Sequence, residues 1–405
     1  MADTQPRATA YPMAGKGAKA LILGTLSLAA FLPGFMAQGL NIALPVIGRE
    51  YGATAITLNW MVLAFVLTNA ALSIPIGKIS DVAGIRKVFL IGMAVYTLSS
   101  FAVMFSGSPL MIIICRVAQG VGGSMILINN IAVLTAIFPP EDRGLVIGIN
   151  TSSVYVGASV GPFLGGVLTE AFGWKSIFLA NVLIGLLVII LVFWKVSGKG
   201  LEGHKQKIDY IGSVVYSISF VVLIYGFSIL PQIAAAVLIP VGMVGLFLFI
   251  LRQMRVKSPV FDIKVFRSNR LFIFSNLAAL MNYMAVFAVA FMLSLYLQYI
   301  KGLTPVLAGV VLIAHPVVQT IISPVAGRLS DRLEPNVVSS VGLGLVTLSL
   351  ISFVFLGKGT PLAAIVAALV VLGAGFALFL SPNANAVMSS VDRSSYGVAS
   401  ATMST

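Results

Sequence analysis

Residues 77–87 read GKISDVAGIRK and separate two long apolar runs, which lie at about 56–77 and 88–106. Each run is long enough to cross a bilayer as a helix, which takes about 20 residues. The short stretch between them combines turn-forming glycines with charged side chains, at Gly77, Asp81, Gly84, Arg86 and Lys87. Because glycine permits a tight turn between two helix ends, the stretch predicts a charged loop that joins two membrane-spanning helices.

The rest of the chain has the same character. Of its 405 residues, 59% are hydrophobic and only 9% are charged, against about 25% charged residues in soluble domains. This composition excludes an ordinary globular enzyme and is too apolar for a disordered chain. No stretch alternates apolar and polar residues as the strands of a membrane barrel do. We therefore predict an all-α membrane protein with about twelve complete spans and the start of a thirteenth near Tyr396, the spans lying at roughly 20–44, 56–77, 88–106, 109–134, 145–168, 174–195, 209–229, 232–251, 271–297, 304–326, 337–356 and 361–381.

The basic residues indicate which way the chain crosses the membrane. If the N terminus lies in the cytoplasm and the spans alternate, 20 of the 25 basic residues fall on the cytoplasmic side and 4 fall outside. Such an asymmetry is the positive-inside pattern of membrane proteins. We predict a multi-pass protein of the cell (plasma or inner) membrane with a cytoplasmic N terminus. Because the charge is spread over short loops that face one leaflet, the expected partner is the lipid bilayer and not nucleic acid.

The sequence repeats itself at an offset of 250 residues. The matches include loop residues, namely Gly52 with Gly302, Thr54 with Thr304, Gly77 with Gly327, Asp81 with Asp331, and Asp142-Arg143 with Asp392-Arg393. Two homologous halves are common in secondary transporters. The expected division is a cytoplasmic tail at 1–19, a six-helix bundle at 20–195, an insert with two extra spans and cytoplasmic loops at 196–267, and an incomplete second bundle at 268–405. A complete second half would need about 40 further residues.

Several motifs carry a resemblance to a known family. The 77–87 loop resembles the signature loop of the major facilitator superfamily, with Val82 where an arginine is often found. Residues 116–123, RVAQGVGG, resemble the family's span-4 motif with its buried arginine, and residues 157–166, GASVGPFLGG, resemble its antiporter motif. Shorter stretches at 40–45, 174–181 and 259–262, together with the insert, resemble the fourteen-span drug:proton antiporter subfamily. Compared with that subfamily, the chain is expected to lack the last span and most of span 13.

This resemblance implies both a fold and a mode of action. The fold has two six-helix bundles related by a pseudo-two-fold axis, with two extra central spans. A central cavity is opened alternately to each side of the membrane. The antiporter motif is associated with exporters, so the resemblance implies efflux.

The signature loop is the first candidate for a functional element. Asp81 and the basic pair Arg86 and Lys87 can form charge contacts that hold the cytoplasmic face closed in one conformation, with turns at Gly77 and Gly84. The alternative is a loop that only sets the orientation of the chain.

The glycines of span 5 are a second candidate element. Gly157, Gly161 and Gly165 recur every four residues on one helix face, which allows a neighbouring helix to approach closely. Pro162 bends the same helix. The face serves static packing alone, or it also takes part in the rocking of the bundles and in preventing leaks.

Arg116 is the only fully charged side chain in the interior of any predicted span, away from the span ends. An arginine there is costly, which marks a functional site by default, and Gln119 lies one turn away on the same face. The alternative is an arginine that is neutralised by backbone carbonyls and only braces the bundle. Further candidates to line the cavity, each of which could instead form a helix–helix hydrogen bond, are Gln38, Asn41, Asn282, Tyr283, His315 and Gln319.

Proton coupling needs a group that gains and loses a proton inside the membrane. All 12 acidic residues fall in tails, loops or span ends, and Met36 occupies a position where relatives tend to carry an aspartate. Midway along span 10, His315 is the side chain there whose unperturbed pKa lies near neutrality. His315 carries the proton, or it stays neutral and donates one hydrogen bond, or coupling has been lost or moved to the missing spans.

The function we predict is secondary active transport, with efflux of amphipathic or cationic small molecules by alternating access driven by the proton gradient. One alternative is a facilitator or a carrier of a specific metabolite without proton coupling. Another is a membrane sensor or scaffold that transports nothing. The sequence contains no phosphate-binding loop, no zinc-ligand spacing and no candidate Ser/His/Asp triad. We therefore expect the protein to have no enzymatic activity, no cofactor and no metal site. The expected partners are a small-molecule substrate and protons.

Overall fold

The computed structural model describes residues 16–138, 140–196, 201, 209–256, 270–330 and 333–389. The described residues form helices joined by short turns. We number the α-helices α1 Lys16–Tyr51, α2 Ala55–Ala83, α3 Ile85–Val103, α4 Pro109–Ile137, α5 Pro140–Phe172, α6 Lys175–Lys195, α7 Tyr210–Ser228, α8 Ile233–Gln253, α9 Arg270–Leu295, α10 Pro305–Leu312, α11 Ala314–Ser330, α12 Pro335–Val354 and α13 Leu362–Ser389. A π-helical turn, Tyr296–Ile300, continues α9.

Eleven segments among the described residues are long and apolar enough to cross a membrane, and α10 and α11 together provide one of them. The remaining predicted span, the fifth at about 145–168, corresponds to α5, which has the length but is not among the eleven. Its glycine, serine and asparagine residues make it less apolar than the other long helices. The predicted start of a thirteenth span, near Tyr396, lies outside the described residues.

Span 10 was predicted as one helix at about 304–326, whereas the structure divides it. The helix α10 ends at Leu312 and α11 begins at Ala314. Pro316 has no backbone N–H with which to bond the carbonyl of Leu312, and this missing bond explains the break. His315 therefore lies directly beside an interruption of its own helix.

The helices pack as two groups. In the first group α1 runs along α5, α2 and α3 pack against α4, and α6 packs against α1 and α3. In the second group α9, α11 and α12 pack against α13, and the short helix α10 contacts α9 and α13. The pair α7 and α8 pack on each other and reach the first group through α2. We call these groups the first bundle and the second bundle.

Two turns show the same local geometry at the 250-residue offset. Gly52 and Gly302 have positive φ values of 61° and 66°, a conformation that glycine adopts without steric cost. Thr54 and Thr304 each follow by two residues and cap the next helix through the side-chain oxygen. The loops after α1 and after α9 are therefore built alike, as the sequence repeat predicts.

Asp209 ties the two ends of the α7–α8 hairpin together. Its side chain is 2% exposed and accepts hydrogen bonds from the Arg252 guanidinium at 2.7 and 3.0 Å. The Gly212 amide and the Gln253 side chain donate to the same carboxylate at 3.0 and 3.1 Å. The hydrogen bond from Arg252 is the main cause that holds the pKa of Asp209 below its ordinary range. The charge pair thus fixes the hairpin at one membrane face.

Candidate functional site

The seam between α1 and α5 is built from glycines. A methyl group added at Gly161 would come within 2.9 Å of the Phe35 carbonyl, and one at Gly165 within 2.7 Å of the Gly39 Cα. Gly157 similarly faces the backbone of Phe31. Because backbone atoms cannot swing aside as side chains can, the seam admits no side chain at these positions. The three predicted glycines therefore place the backbone of α5 directly on α1.

We call the membrane face at which α1 begins the proximal face, and the face at which α1 ends the distal face. Near the distal face, three side chains of the second bundle donate to backbone carbonyls of α1. Ser294 Oγ donates to the Asn41 carbonyl at 2.5 Å, Gln298 Nε2 to the Ile42 carbonyl at 3.0 Å, and Tyr299 Oη to the Pro45 carbonyl at 3.0 Å.

Proline explains why α1 can accept the bond from Ser294. In an uninterrupted helix the Asn41 carbonyl would accept the N–H of residue 45, but Pro45 has none. Ser294 supplies the missing donor from the other bundle. The π-helical turn at Tyr296–Ile300 carries Gln298 and Tyr299 toward the same stretch of α1; such turns are frequent at functional sites. The two bundles are therefore joined through a weakened segment of α1.

A second contact closes the distal face between α5 and α10. Glu170 accepts a hydrogen bond from the Val306 backbone amide at 3.3 Å. A methyl group at Gly166 would come within 2.7 Å of the Pro305 carbonyl, and Gly309 is packed equally closely on Pro162. Pro162 thus belongs to a face of α5 that meets the second bundle. In the described part of the chain, α2 and α4 make no substantial contact with the second bundle.

Aromatic side chains of the second bundle meet between these helices, and one from the first bundle lies near them. The Phe376 ring lies 5.5 Å from the ring of Tyr283 and 6.0 Å from that of His315, both edge to face. Tyr155 of α5 lies close enough to Tyr283 to interact with it electrostatically. All four residues lie near the middle of their spans. We call Tyr155, Tyr283, His315 and Phe376 the central cluster.

Arg116 lies elsewhere, inside the first bundle, and is 1% exposed. Its Nε donates to the Met61 carbonyl at 2.9 Å, and its Nη1 to Gln119 Oε1 at 2.7 Å. Gln119 in turn donates to Ser100 Oγ at 2.6 Å, and the guanidinium lies 4.5 Å from the centre of the Phe65 ring. These neutral partners come from α2, α3 and α4. All of these contacts lie within the first bundle, so the structure places Arg116 and Gln119 apart from the central cluster.

The other predicted lining residues are distributed around the central cluster. Asn282 is 2% exposed, and neither atom of its amide has a partner among the described residues. Asn41 is buried in the α1 segment that receives Ser294, while Gln38 is half-buried against Gly161. Gln319 lies one turn after His315 and is 7% exposed. Near it, the Ser159 and Thr320 hydroxyls lie 3.4 Å apart across the two bundles.

The predicted gating loop is only partly described. Gly84 separates α2 from α3 with a φ of 97°, but the turn predicted at Gly77 is absent, because α2 continues through Gly77 to Ala83. Arg86 donates to the Phe193 carbonyl of α6 at 3.2 Å, whereas Lys87 is exposed. The side chain of Asp81 lies outside the described residues, so its gating role stays a prediction.

The sequence reasoning did not identify Tyr155, Phe376, Ser294, Gln298, Tyr299 and Glu170. The one usable signal was Pro45, since a proline inside a helix frees the carbonyl four residues earlier. Which side chain would supply the donor depends on how the two bundles pack together, and a single sequence does not specify that.

Comparison with known proteins agrees with this architecture. A peptide transporter POT in complex with sulfate superposes with a TM-score of 0.72 at 15% identity, over 100% of this chain and 89% of that one. A bacterial homolog of the human lysosomal transporter Spinster, in an inward-facing and unoccupied conformation, gives a TM-score of 0.65 at 16% identity, over 96% and 79%. Both likenesses concern the fold.

The sequence comparisons lead to the family. The riboflavin transporter RibZ of Clostridioides difficile is 27% identical over 92% of this chain and 81% of its own length. The multidrug efflux pump LfrA of Mycolicibacterium smegmatis is 28% identical over 95% and 77%. The multidrug resistance protein Stp of Mycobacterium tuberculosis is 28% identical over 90% and 68%. The family model for the Major Facilitator Superfamily matches residues 26–405, and the chain therefore belongs to that superfamily of membrane transporters.

Proposed function

We propose that the chain exports small amphipathic molecules by alternating access, driven by the proton gradient. The observation that carries the proposal is the closure of the two bundles at the distal face, over a central cluster to which both bundles contribute. The closing contacts are hydrogen bonds between a side chain of one bundle and the backbone of the other, each worth about 1 kcal/mol net. Contacts of this strength can break and re-form within a transport cycle.

The named relatives support an export function. LfrA is a multidrug efflux pump and Stp a multidrug resistance protein, and each resembles most of this chain. In the antiporter-like motif of α5, Gly157, Gly161 and Gly165 pack on α1, whereas Pro162 and Gly166 pack on α10. One helix thus connects the internal seam of the first bundle to the contact between the bundles, and a shift of α5 would alter both.

A second candidate is the carriage of one specific metabolite. RibZ is a riboflavin transporter and resembles 92% of this chain. Riboflavin is a planar aromatic molecule, and the central cluster offers aromatic rings and polar edges. This candidate shares the alternating-access mechanism and differs only in the breadth of the substrates.

The predicted orientation gives the conformation a direction. With the N terminus in the cytoplasm, the proximal face is cytoplasmic and the distal face is extracellular. The conformation is then closed toward the outside, ready to take up substrate from the cytoplasm. His315 lies in the central cluster, and we assign it the transported proton.

Reconstituted transport tests the proposal. The purified chain is placed in liposomes with an imposed pH gradient, and the movement of fluorescent amphipathic probes that are uncharged, positive or negative is recorded. We expect movement of at least one class that collapses when an ionophore dissipates the gradient. Protein-free liposomes are the control. Substrate movement that does not respond to the gradient would favour the facilitator alternative, and no movement of any probe would contradict transport.

A further inference from the structure

The central cluster has a chemistry that narrows the class of substrate. We propose that it binds an uncharged, planar aromatic molecule that carries hydrogen-bonding groups at its edge. This inference rests on the proposed function and specifies its substrate.

The aromatic rings of the cluster suit a flat ligand. Phe376 meets Tyr283 at an interplanar angle of 79° and His315 at 74°. Edge-to-face pairs of this kind leave ring faces free for a further aromatic ring. Tyr283 is 45% exposed although it lies near the middle of a span. The exposed part of the Tyr283 ring, together with Tyr155 of the first bundle, offers a ligand site to which both bundles contribute.

The polar atoms of the cluster call for hydrogen bonds from a ligand. The Nε2 atom of His315 is buried and has no partner among the described residues. An unpaired buried polar atom costs about 1–3 kcal/mol, and a donor or acceptor on the ligand would remove that cost. The hydroxyls of Tyr155 and Tyr283 can donate as well as accept. Polar groups at the edge of a ring would meet these atoms.

The lack of acidic side chains near the cluster argues against a charged ligand. None of the 12 acidic residues lies in the interior of a span, and the described carboxylates of Glu50 and Glu170 lie at distal helix ends. A cation in the cluster would therefore be attracted mainly by the aromatic rings, and a desolvated cation–π interaction is worth about 2 kcal/mol. Desolvating an ion costs several kcal/mol, so the cost exceeds the gain.

The surroundings discourage ions of either sign. In the predicted topology 20 of the 25 basic residues lie on the side of the membrane where α1 begins, and their field would repel cations before they enter. An anion that entered while His315 is neutral would find no cation at the cluster, because Arg116 is enclosed by α2, α3 and α4. An uncharged molecule avoids both penalties.

Two dyes with the same three-ring skeleton test the proposal. Acridone is uncharged at neutral pH, whereas proflavine is a cation, and both are fluorescent. Binding to the purified full chain in lipid nanodiscs is measured by fluorescence anisotropy. We expect acridone to bind at least about tenfold more tightly than proflavine, which corresponds to about 1.4 kcal/mol. Equal or tighter binding of proflavine would overturn the proposal.

Variants locate the site and test the role of charge. Phe376→Leu and Tyr283→Leu should each weaken acridone binding about tenfold, while Phe101→Leu, on an exposed face of α3, should leave it unchanged. Gln319→Glu adds a carboxylate one turn from His315 and should shift the preference toward proflavine. Acridone binding that is indifferent to both Phe376→Leu and Tyr283→Leu would place the site elsewhere and overturn the proposal. Binding as expected without transport in liposomes would support this inference and contradict only the proposed function.

Discussion

At the scale of single residues, Arg116 illustrates how a membrane protein can hold a charge without a countercharge. Its described partners are a carbonyl, an amide and an aromatic ring. Each partner presents partial negative charge to the guanidinium, and together they replace part of the lost hydration. The arginine consequently links α2 to α4, and through Gln119 and Ser100 to α3 as well.

Arg116→Met should lower stability, because it leaves Gln119 Oε1 without its donor. An unsatisfied buried acceptor costs about 1–3 kcal/mol. In Arg116→Met with Gln119→Leu both polar partners are gone, and we expect most of the loss to be recovered. Thermal unfolding of the two purified variants gives the comparison. A double variant that is as stable as the native chain but cannot transport would show that the Arg116–Gln119 pair acts in transport itself.

His315 is the residue on which proton coupling depends in this account. The change His315→Gln keeps a polar side chain of similar size but removes the titrating ring. We expect transport driven by a pH gradient to be abolished while substrate binding is retained. Parallel measurements of binding and of gradient-driven flux separate the two effects. Persistent proton-coupled transport in the variant would exclude His315 as the carrier.

At the scale of the helices, the packing of α5 on α1 is the contact most sensitive to substitution. Gly161→Ala forces a methyl group against the Phe35 carbonyl, so the two helices must separate. We expect a lower melting temperature and reduced transport. Gly344→Ala is the matched control, since nothing lies within 4 Å of its added methyl group and alanine favours a helix by about 1 kcal/mol. Equal melting temperatures and transport rates in the two variants would contradict the close packing of α5 on α1.

The bond from Ser294 to α1 sets the balance between conformations. Ser294→Ala leaves the Asn41 carbonyl without a donor while the distal face is closed. Losing about 1 kcal/mol should raise the distally open fraction about fivefold. The readout is labelling of a cysteine at Thr320 by a reagent added from the distal side, in a Cys115→Ser background. As the control, Ser352→Ala removes a bond to the carbonyl of Ser349 within α12 and should leave the labelling rate unchanged. An unchanged rate in Ser294→Ala as well would argue against a role of the Ser294 bond in closing the distal face.

Individual residues show which features of the fold and of the candidate site could be predicted from the sequence. Gly52 and Gly302, paired by the repeat, indeed share one backbone conformation, because turn geometry is a local property. The break at Ile313 was missed, although Pro316 held the signal. Tyr155, Phe376 and Ser294 lacked any local signal, since their partners lie on other helices and the register between helices is a tertiary property. Arg116 was recognised as unusual, but its bracing geometry required the positions of three helices.

At the scale of the whole molecule, the account depends on one motion. Both bundles contribute to the central cluster, and they are joined at the distal face by the contacts of α1 with α9 and of α5 with α10. If these contacts open and close once in each cycle, holding them shut must stop transport without disturbing the fold. A static scaffold would have no such requirement.

The most direct measurement joins α5 to α10 reversibly. Glu170→Cys and Val306→Cys are introduced in a Cys115→Ser background, which removes the one native cysteine. A short bifunctional thiol reagent, cleavable by reductant, then links the two sites in proteoliposomes. We predict that the linked protein transports nothing, that reductant restores transport, and that each single cysteine variant treated alike stays active. Transport by the linked protein at the rate of the unlinked protein would contradict alternating access through the distal face.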